Sequence, residues 1–187
     1  MVVISGTSCM SKLNQLSGYP QIAAIVLLLA AGIAVAPAGA GEVGSKSGLP
    51  VPRFVSLKPD RVNVRSGPTR DHEVAWVYTR AGLPVEITAE SDNWRRIRDW
   101  EGAEGWVYHS MLSGRRTALV MAKQNDGLVP LFAKPDAGAD VTARLASGVL
   151  ASVRQCTGAW CRIAGSGFDG WAAQERLWGV YPTEKLE

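Results

Sequence analysis

The sequence predicts an all-β protein: two small tandem β-barrels behind an N-terminal signal peptide. Three observations predict it. No segment past residue 41 sustains a 3.6-residue apolar period. Short runs rich in Val, Ile, Thr, Trp and Tyr alternate there with turn-forming Gly, Asp, Asn and Pro. The chain also repeats itself in order. Val62-x-Val64 and Pro68 return as Val129-x-Leu131 and Pro135, 67 positions later. Gly82 returns as Gly148, Trp94-Arg95-Arg96-Ile97 as Trp160-Cys161-Arg162-Ile163, Gly105-Trp106 as Gly170-Trp171, and Leu112 as Leu177. The offset shrinks to 65 in steps that fall in turns.

The elements follow in chain order. Lys12 precedes an apolar run from Ile22 to Ala36, and Ala38-Gly39-Ala40 comes next. A positive start, a short apolar stretch and small residues at a cleavage site describe a secretory signal over residues 1–40. The run is shorter than the ~20 residues a membrane-spanning helix needs. Cleavage is expected after Ala40, with Ala38 and Ala40 as the small residues of the site, the alternative being an uncleaved anchor. Residues 41–53, rich in Gly, Ser and Pro, read as a linker. The first barrel covers 54–116, with strands expected near 61–65, 74–78, 84–89, 94–98 and 104–108. Ser91-Asp92-Asn93 reads as a tight turn and His109 to Leu112 as one helical turn. So few short strands cannot bury two sheet faces, so they must curl round one core. The second, divergent barrel covers 117–182, and 183–187 is a tail. The link Ser113 to Thr117 is too short for the barrels to roam. They are expected to pack together, with Trp178-Gly-Val-Tyr-Pro182 sealing the second barrel or the interface.

The cysteines agree with export. Cys9 lies in the leader, which leaves Cys156 and Cys161 flanking Thr157-Gly-Ala-Trp160. A four-residue hairpin loop there would bring the two within bridging distance, and an oxidising compartment would close the bond. Strict alternation puts Cys161 with Ile163 but Cys156 opposite to Val153, so the hairpin needs a bulge. Two thiols with no nearby His make a poor zinc site, and no metal is expected. The chain is expected to be periplasmic or secreted, touching the membrane only through the signal segment before cleavage.

The motifs "RVNVRSGP", "G-x-x-V-x-I", "NW-x-x-I" and "GWVY-x-x-x-L" resemble the bacterial Src-homology-3-like (SH3b) domain. The second copy, with "WCRI", "GFDGW" and "LWGVYP", resembles the variant paired with it in exported proteobacterial proteins. The second copy keeps the frame and loses Asn63, Arg65 and Gly67. The resemblance implies five- or six-stranded barrels, no catalysis, and targeting or binding at the cell envelope. It implies peptidoglycan as the partner, through its stem peptide or glycan. The alternative partner is an envelope protein held by an extended segment.

The residues themselves point the same way. A net charge of +3, without a basic stripe, gives no support for nucleic-acid binding. Two histidines, His72 and His109, and no free cysteine beyond the leader leave no Cys-His pair and no ligand set for a hydrolytic metal. No glycine loop cradles phosphate, and no cofactor is expected. Asp92, Asp99, Glu101 and Glu104 read as solvated turn residues. The seven tryptophans are the better lead, because aromatic side chains often anchor ligands. Trp106 and Trp171 follow glycine in both copies and read as core or half-buried. Alternation sets Trp94 with Arg96 opposite Ile97, either as an aromatic plate beside guanidinium groups or as a tryptophan clamped under a loop. Trp76 and Tyr78 share one parity, and Tyr108 shares that of Trp106. Val62 and Val64 should face the core, which turns Asn63 and Arg65 outward. They either pin the turn at Ser66-Gly67-Pro68, with Gly67 at positive φ and Arg65 holding loop carbonyls, Asp71 or Glu73, or line a cleft. The candidate ligand-binding set is therefore Asn63, Arg65, Trp76, Tyr78, Trp94, Arg96 and Tyr108.

Overall fold

The computed structural model describes residues 42–123 and 127–187. The expected signal peptide, with Ala38 and Ala40, lies outside them. Among the described residues no helix is long and apolar enough to cross a membrane.

The stretch expected to be a linker carries structure. Strands β1 (Glu42–Val43) and β2 (Pro50–Val51) form an antiparallel hairpin. Composition alone reads this segment as loose. The reason it is not loose is Glu90, whose side chain is only 1% exposed. The Glu90 carboxylate accepts hydrogen bonds from the Lys46 and Ser47 amides, from the Ser47 hydroxyl at 2.6 Å and from the Arg53 guanidinium at 2.8 Å. Arg95 adds a second ion pair at 3.3 Å. Burial alone would raise the Glu90 pKa, but these donors outweigh it and bring it down to about 2.

The first sheet comprises β3 (Arg53–Leu57), β4 (Val62–Arg65), β5 (Val74–Tyr78), β6 (Pro84–Ser91), β7 (Trp94–Arg98), β8 (Glu104–Tyr108) and β9 (Leu112–Ser113). A 3-10 turn over His109–Met111 links the last two. The strand order is β5-β4-β8-β7-β6-β3-β9. The second sheet comprises β10 (Thr117–Val120), β11 (Val129–Phe132), β12 (Val141–Leu145), β13 (Leu150–Thr157), β14 (Trp160–Gly165), β15 (Phe168–Ala173) and β16 (Leu177–Trp178), with a 3-10 turn over Gln174–Arg176. Its order, β12-β11-β15-β14-β13-β10-β16, repeats the first strand for strand. A last strand, β17 (Lys185–Leu186), pairs with β13. Strand β3 lies before the first strand predicted from the sequence. Its burial alternates from Arg53 to Ser56 and then breaks, with Ser56 and Leu57 consecutive and both buried.

Each sheet wraps its own apolar core. Val62, Val64, Val85, Ile87, Ile97 and Val107 fill the first. Val129, Leu131, Ile163 and Ala172 fill the second, together with both cysteines. Burying one such aliphatic side chain contributes about 1.5–3 kcal/mol. Cys156 and Cys161 face each other across the β13–β14 hairpin and are disulfide-bonded, with Cα atoms 4.1 Å apart. The pairing slips between Val153 and Gln155, which supplies the bulge that alternation demands. The turn is tighter than a four-residue loop, because Thr157 and Trp160 belong to the strands.

The two cores are unequal in one respect. Leu119, Met121, Leu150 and Trp178 of the second repeat pack on the core of the first. Trp178 sits edge-on to Phe54 at 5.1 Å and its indole N–H donates to the Pro84 carbonyl. Tyr181 packs on Phe54 at 4.7 Å, and its hydroxyl donates to Glu86 at 2.8 Å. Burial, then the Glu86 carboxylate, push the Tyr181 phenol upward. The Thr117 hydroxyl donates to the Gly82 carbonyl at 2.7 Å. Gly179 lets the chain through: a Cβ there would lie 2.3 Å from the Thr117 carbonyl oxygen.

Two outcomes are expected. Trp178→Ala should cost about 3–5 kcal/mol and lower the unfolding midpoint of the first barrel most, as followed by thermal melts of barrel-specific tryptophan or NMR signals. Glu90 stabilises the fold fully above its unfolded-state pKa, near 4.5, and that contribution fades as pH falls towards 2. Glu90→Gln should therefore be less stable than the parent at pH 7, and the gap should close between pH 5 and 2. A gap that stays constant across that range in urea titrations would contradict the assignment.

Candidate functional site

The outer face of the first sheet is set by register. Trp94 opposes Tyr108 and Arg96 opposes Trp106 on β7 and β8, while Arg65 of β4 opposes Trp106. Residues two apart on a strand share a face, so Asn63 and Arg65 join Trp94 and Tyr108 on one side. Val62, Val64 and Ile97 turn to the core beneath them. The Trp94 and Tyr108 rings meet edge to face at 5.5 Å.

These residues line a cleft of about 470 Å³ together with Arg61, Arg70, Ser110 and Met111. Arg61 precedes β4 with the same parity as Asn63 and Arg65. Arg70 comes from the loop after β4, and Ser110 and Met111 from the 3-10 turn after β8. The parity of Arg61 was the available signal for one of these. The others arrive through loop geometry, which periodicity does not encode.

Arg65 has two faces. One guanidinium nitrogen donates to the His72 carbonyl at 2.5 Å, as a turn-pinning role would have it, and the side chain also borders the cleft. Asn63 does not pin the turn. It is exposed and makes no side-chain hydrogen bond among the described residues. Gly67 is not at positive φ. A Cβ there would lie 2.2 Å from the His72 ring, so a larger residue would push that ring off its hydrogen bond to the Thr69 hydroxyl at 2.8 Å. The loop 66–73 is thus tied down on both sides and forms the cleft rim.

Three expected site residues lie elsewhere. Tyr78 is buried, and its hydroxyl donates to Asp99 at 2.7 Å. Burial and this bond push the phenol upward. Trp76 packs edge-on against Tyr78 at 6.2 Å. Shared parity correctly placed this pair on one face, but the face is the inner one at the end of β5. Arg96 lies one pleat along from Trp94, where Glu104 captures it in an ion pair. Asp99 is not a solvated turn residue either. Its second oxygen accepts the Glu101 and Ala103 amides, so it organises the β7–β8 loop from inside.

A family model described as bacterial SH3 domain matches residues 58–114 and again 125–179, more than half of the chain. The chain belongs to the bacterial SH3 domain family. Both of its SH3 units fall on the sheets described above. No curated protein is a significant match to the chain. Among solved structures, it is loosely similar to NlpC2 from Trichomonas vaginalis, at 10% identity and a TM-score of 0.32, covering 68% of this chain and 48% of that one. NlpC1 from the same organism gives 11% identity and 0.32, covering 74% and 51%. The chain thus spans about half the length of these two structures. The LysPBC5 endolysin CBD gives 16% identity and 0.27, covering 74% of this chain and 96% of that one. Likenesses this loose carry no weight for function.

The first-barrel cleft is lined by Trp94, Tyr108, Asn63, Ser110, Met111 and three arginines, with Trp76, Tyr78 and Arg96 outside it. Tyr78→Phe should lower stability by about 1–2 kcal/mol in urea unfolding, because it strips a partner from buried Asp99. The same change should leave the amide NMR shifts around Trp94 and Tyr108 in place.

Proposed function

We propose that this tandem bacterial SH3 protein is a non-catalytic binding module of the cell envelope, exported to the periplasm or secreted, that holds peptidoglycan in the cleft of its first barrel. The observation that carries this reading is the cleft itself: a half-buried tryptophan–tyrosine pair rimmed by polar side chains on a rigid sheet. Aromatic anchors flanked by hydrogen-bonding groups suit recognition of an amphipathic polymer. Membership of the bacterial SH3 family supports binding rather than turnover. The apolar leader with its small residues and the Cys156–Cys161 bridge support export.

Sedimentation with purified insoluble murein checks the proposal. The protein should leave the supernatant, and Trp94→Ala should weaken retention by about fivefold or more, a loss above about 1 kcal/mol. A protein that stays in solution with murein, yet captures one stoichiometric partner from an envelope extract, would be an adaptor instead. Clearing of a murein suspension by the pure protein would make it a hydrolase.

A further inference from the structure

Three arginines border the cleft, and no acidic side chain does. Arg61 and Arg70 are exposed and hold no ion pair or hydrogen bond among the described residues. Arg65 is held only by a neutral carbonyl. Elsewhere on the first barrel Arg53 and Arg95 pair with Glu90, Arg96 with Glu104 and Arg98 with Glu86, whereas Lys58, Arg80 and Arg115 lie scattered without a carboxylate partner among the described residues. The cleft is thus where three arginines without a carboxylate partner come together.

The second barrel shows that the fold does not need these charges. With the 67-residue offset, Arg61, Asn63, Arg65 and Arg70 correspond to Leu128, Pro130, Phe132 and Ala137. Register gives Ala173 in place of Tyr108, because Trp160 opposes Ala173 as Trp94 opposes Tyr108. Phe132 fills the vacated place by packing edge-on against Trp160 at 5.4 Å. The same strand order and a complete core form around this uncharged version. Like charges gathered in one cleft repel one another, and an anion placed among them removes that cost.

We infer that the first-barrel cleft selects a carboxylate-bearing peptide, with Arg61, Arg65 and Arg70 taking the carboxylates while Trp94, Tyr108 and Met111 cover its apolar surface; the inference rests on the peptidoglycan reading only in naming the stem peptide as its source. Guanidinium groups bind carboxylates through paired, charge-assisted hydrogen bonds, which an ammonium or a neutral donor does not reproduce. A neutral glycan would leave the guanidinium groups without a counter-charge. The second barrel keeps Trp160 but lacks all three guanidinium groups, and it does not share the ligand.

NMR titration of the full chain with a synthetic stem tetrapeptide, L-Ala-D-Glu-meso-diaminopimelate-D-Ala, and with its fully amidated form tests this. The acid form should shift the amides around Trp94 and Tyr108 and leave those around Trp160 in place. Amidation, or the double substitution Arg61→Gln with Arg70→Gln, should weaken binding at least tenfold without moving the melting temperature. Raising salt from 50 to 500 mM should weaken the acid form as well. Equal affinity for acid and amide, no binding of either, or tighter binding of neutral chitotetraose would overturn the inference. If murein retains the protein while acid and amide bind alike, the carboxylate assignment falls and the peptidoglycan reading stands. If the acid binds selectively while murein does not retain the protein, the reverse holds.

Discussion

The structure depends on Trp178 crossing from the second repeat onto the core of the first. A barrel of this size buries little apolar area on its own, and small domains are correspondingly marginal. Here Trp178, Leu119, Met121 and Leu150 extend the first core, while Tyr181 caps Phe54 and donates a hydrogen bond to buried Glu86. Glu86 in turn pairs with Arg98 on the outer face of β7. Packing and charge are joined in one chain of contacts from the C-terminal segment to the strand that carries Trp94. The cleft is consequently presented on a body made of both repeats.

Duplication has been used asymmetrically. The two sheets share strand order, turns and core positions, yet the second has exchanged arginine and asparagine for phenylalanine and proline along the strand that borders the cleft in the first. Phe132 closes on Trp160 where Arg65 and Tyr108 leave room beside Trp94. One barrel holds the open cleft, and the other contributes a tryptophan to the core beneath it.

Much of this architecture was legible in the sequence because strands report themselves through alternation. The runs at Val74–Tyr78, Trp94–Arg98 and Glu104–Tyr108 appear where the pattern puts them, and the parity conflict at Cys156 correctly demanded a bulge. Asn63, Arg65, Trp94 and Tyr108 do come together, because all four follow from parity on paired strands. What parity does not carry is the sign of the face. Trp76 and Tyr78 share a side, but only the tertiary bond from Tyr78 to Asp99 reveals that the side is inward. Nor does it carry competition, and Glu104 takes Arg96 away from Trp94. The N-terminal hairpin was illegible for a similar reason. Its order comes from one carboxylate, Glu90, more than forty residues along the chain from Lys46 and Ser47.

The strand bearing Cys156 has a second neighbour. Cys156 opposes Cys161 on one side and Leu186 on the other, so the crosslinked hairpin is also the ledge on which Lys185–Leu186 docks. The covalent bond ties the two hairpin strands to each other at that point, so the ledge would persist even with Lys185–Leu186 lifted off it.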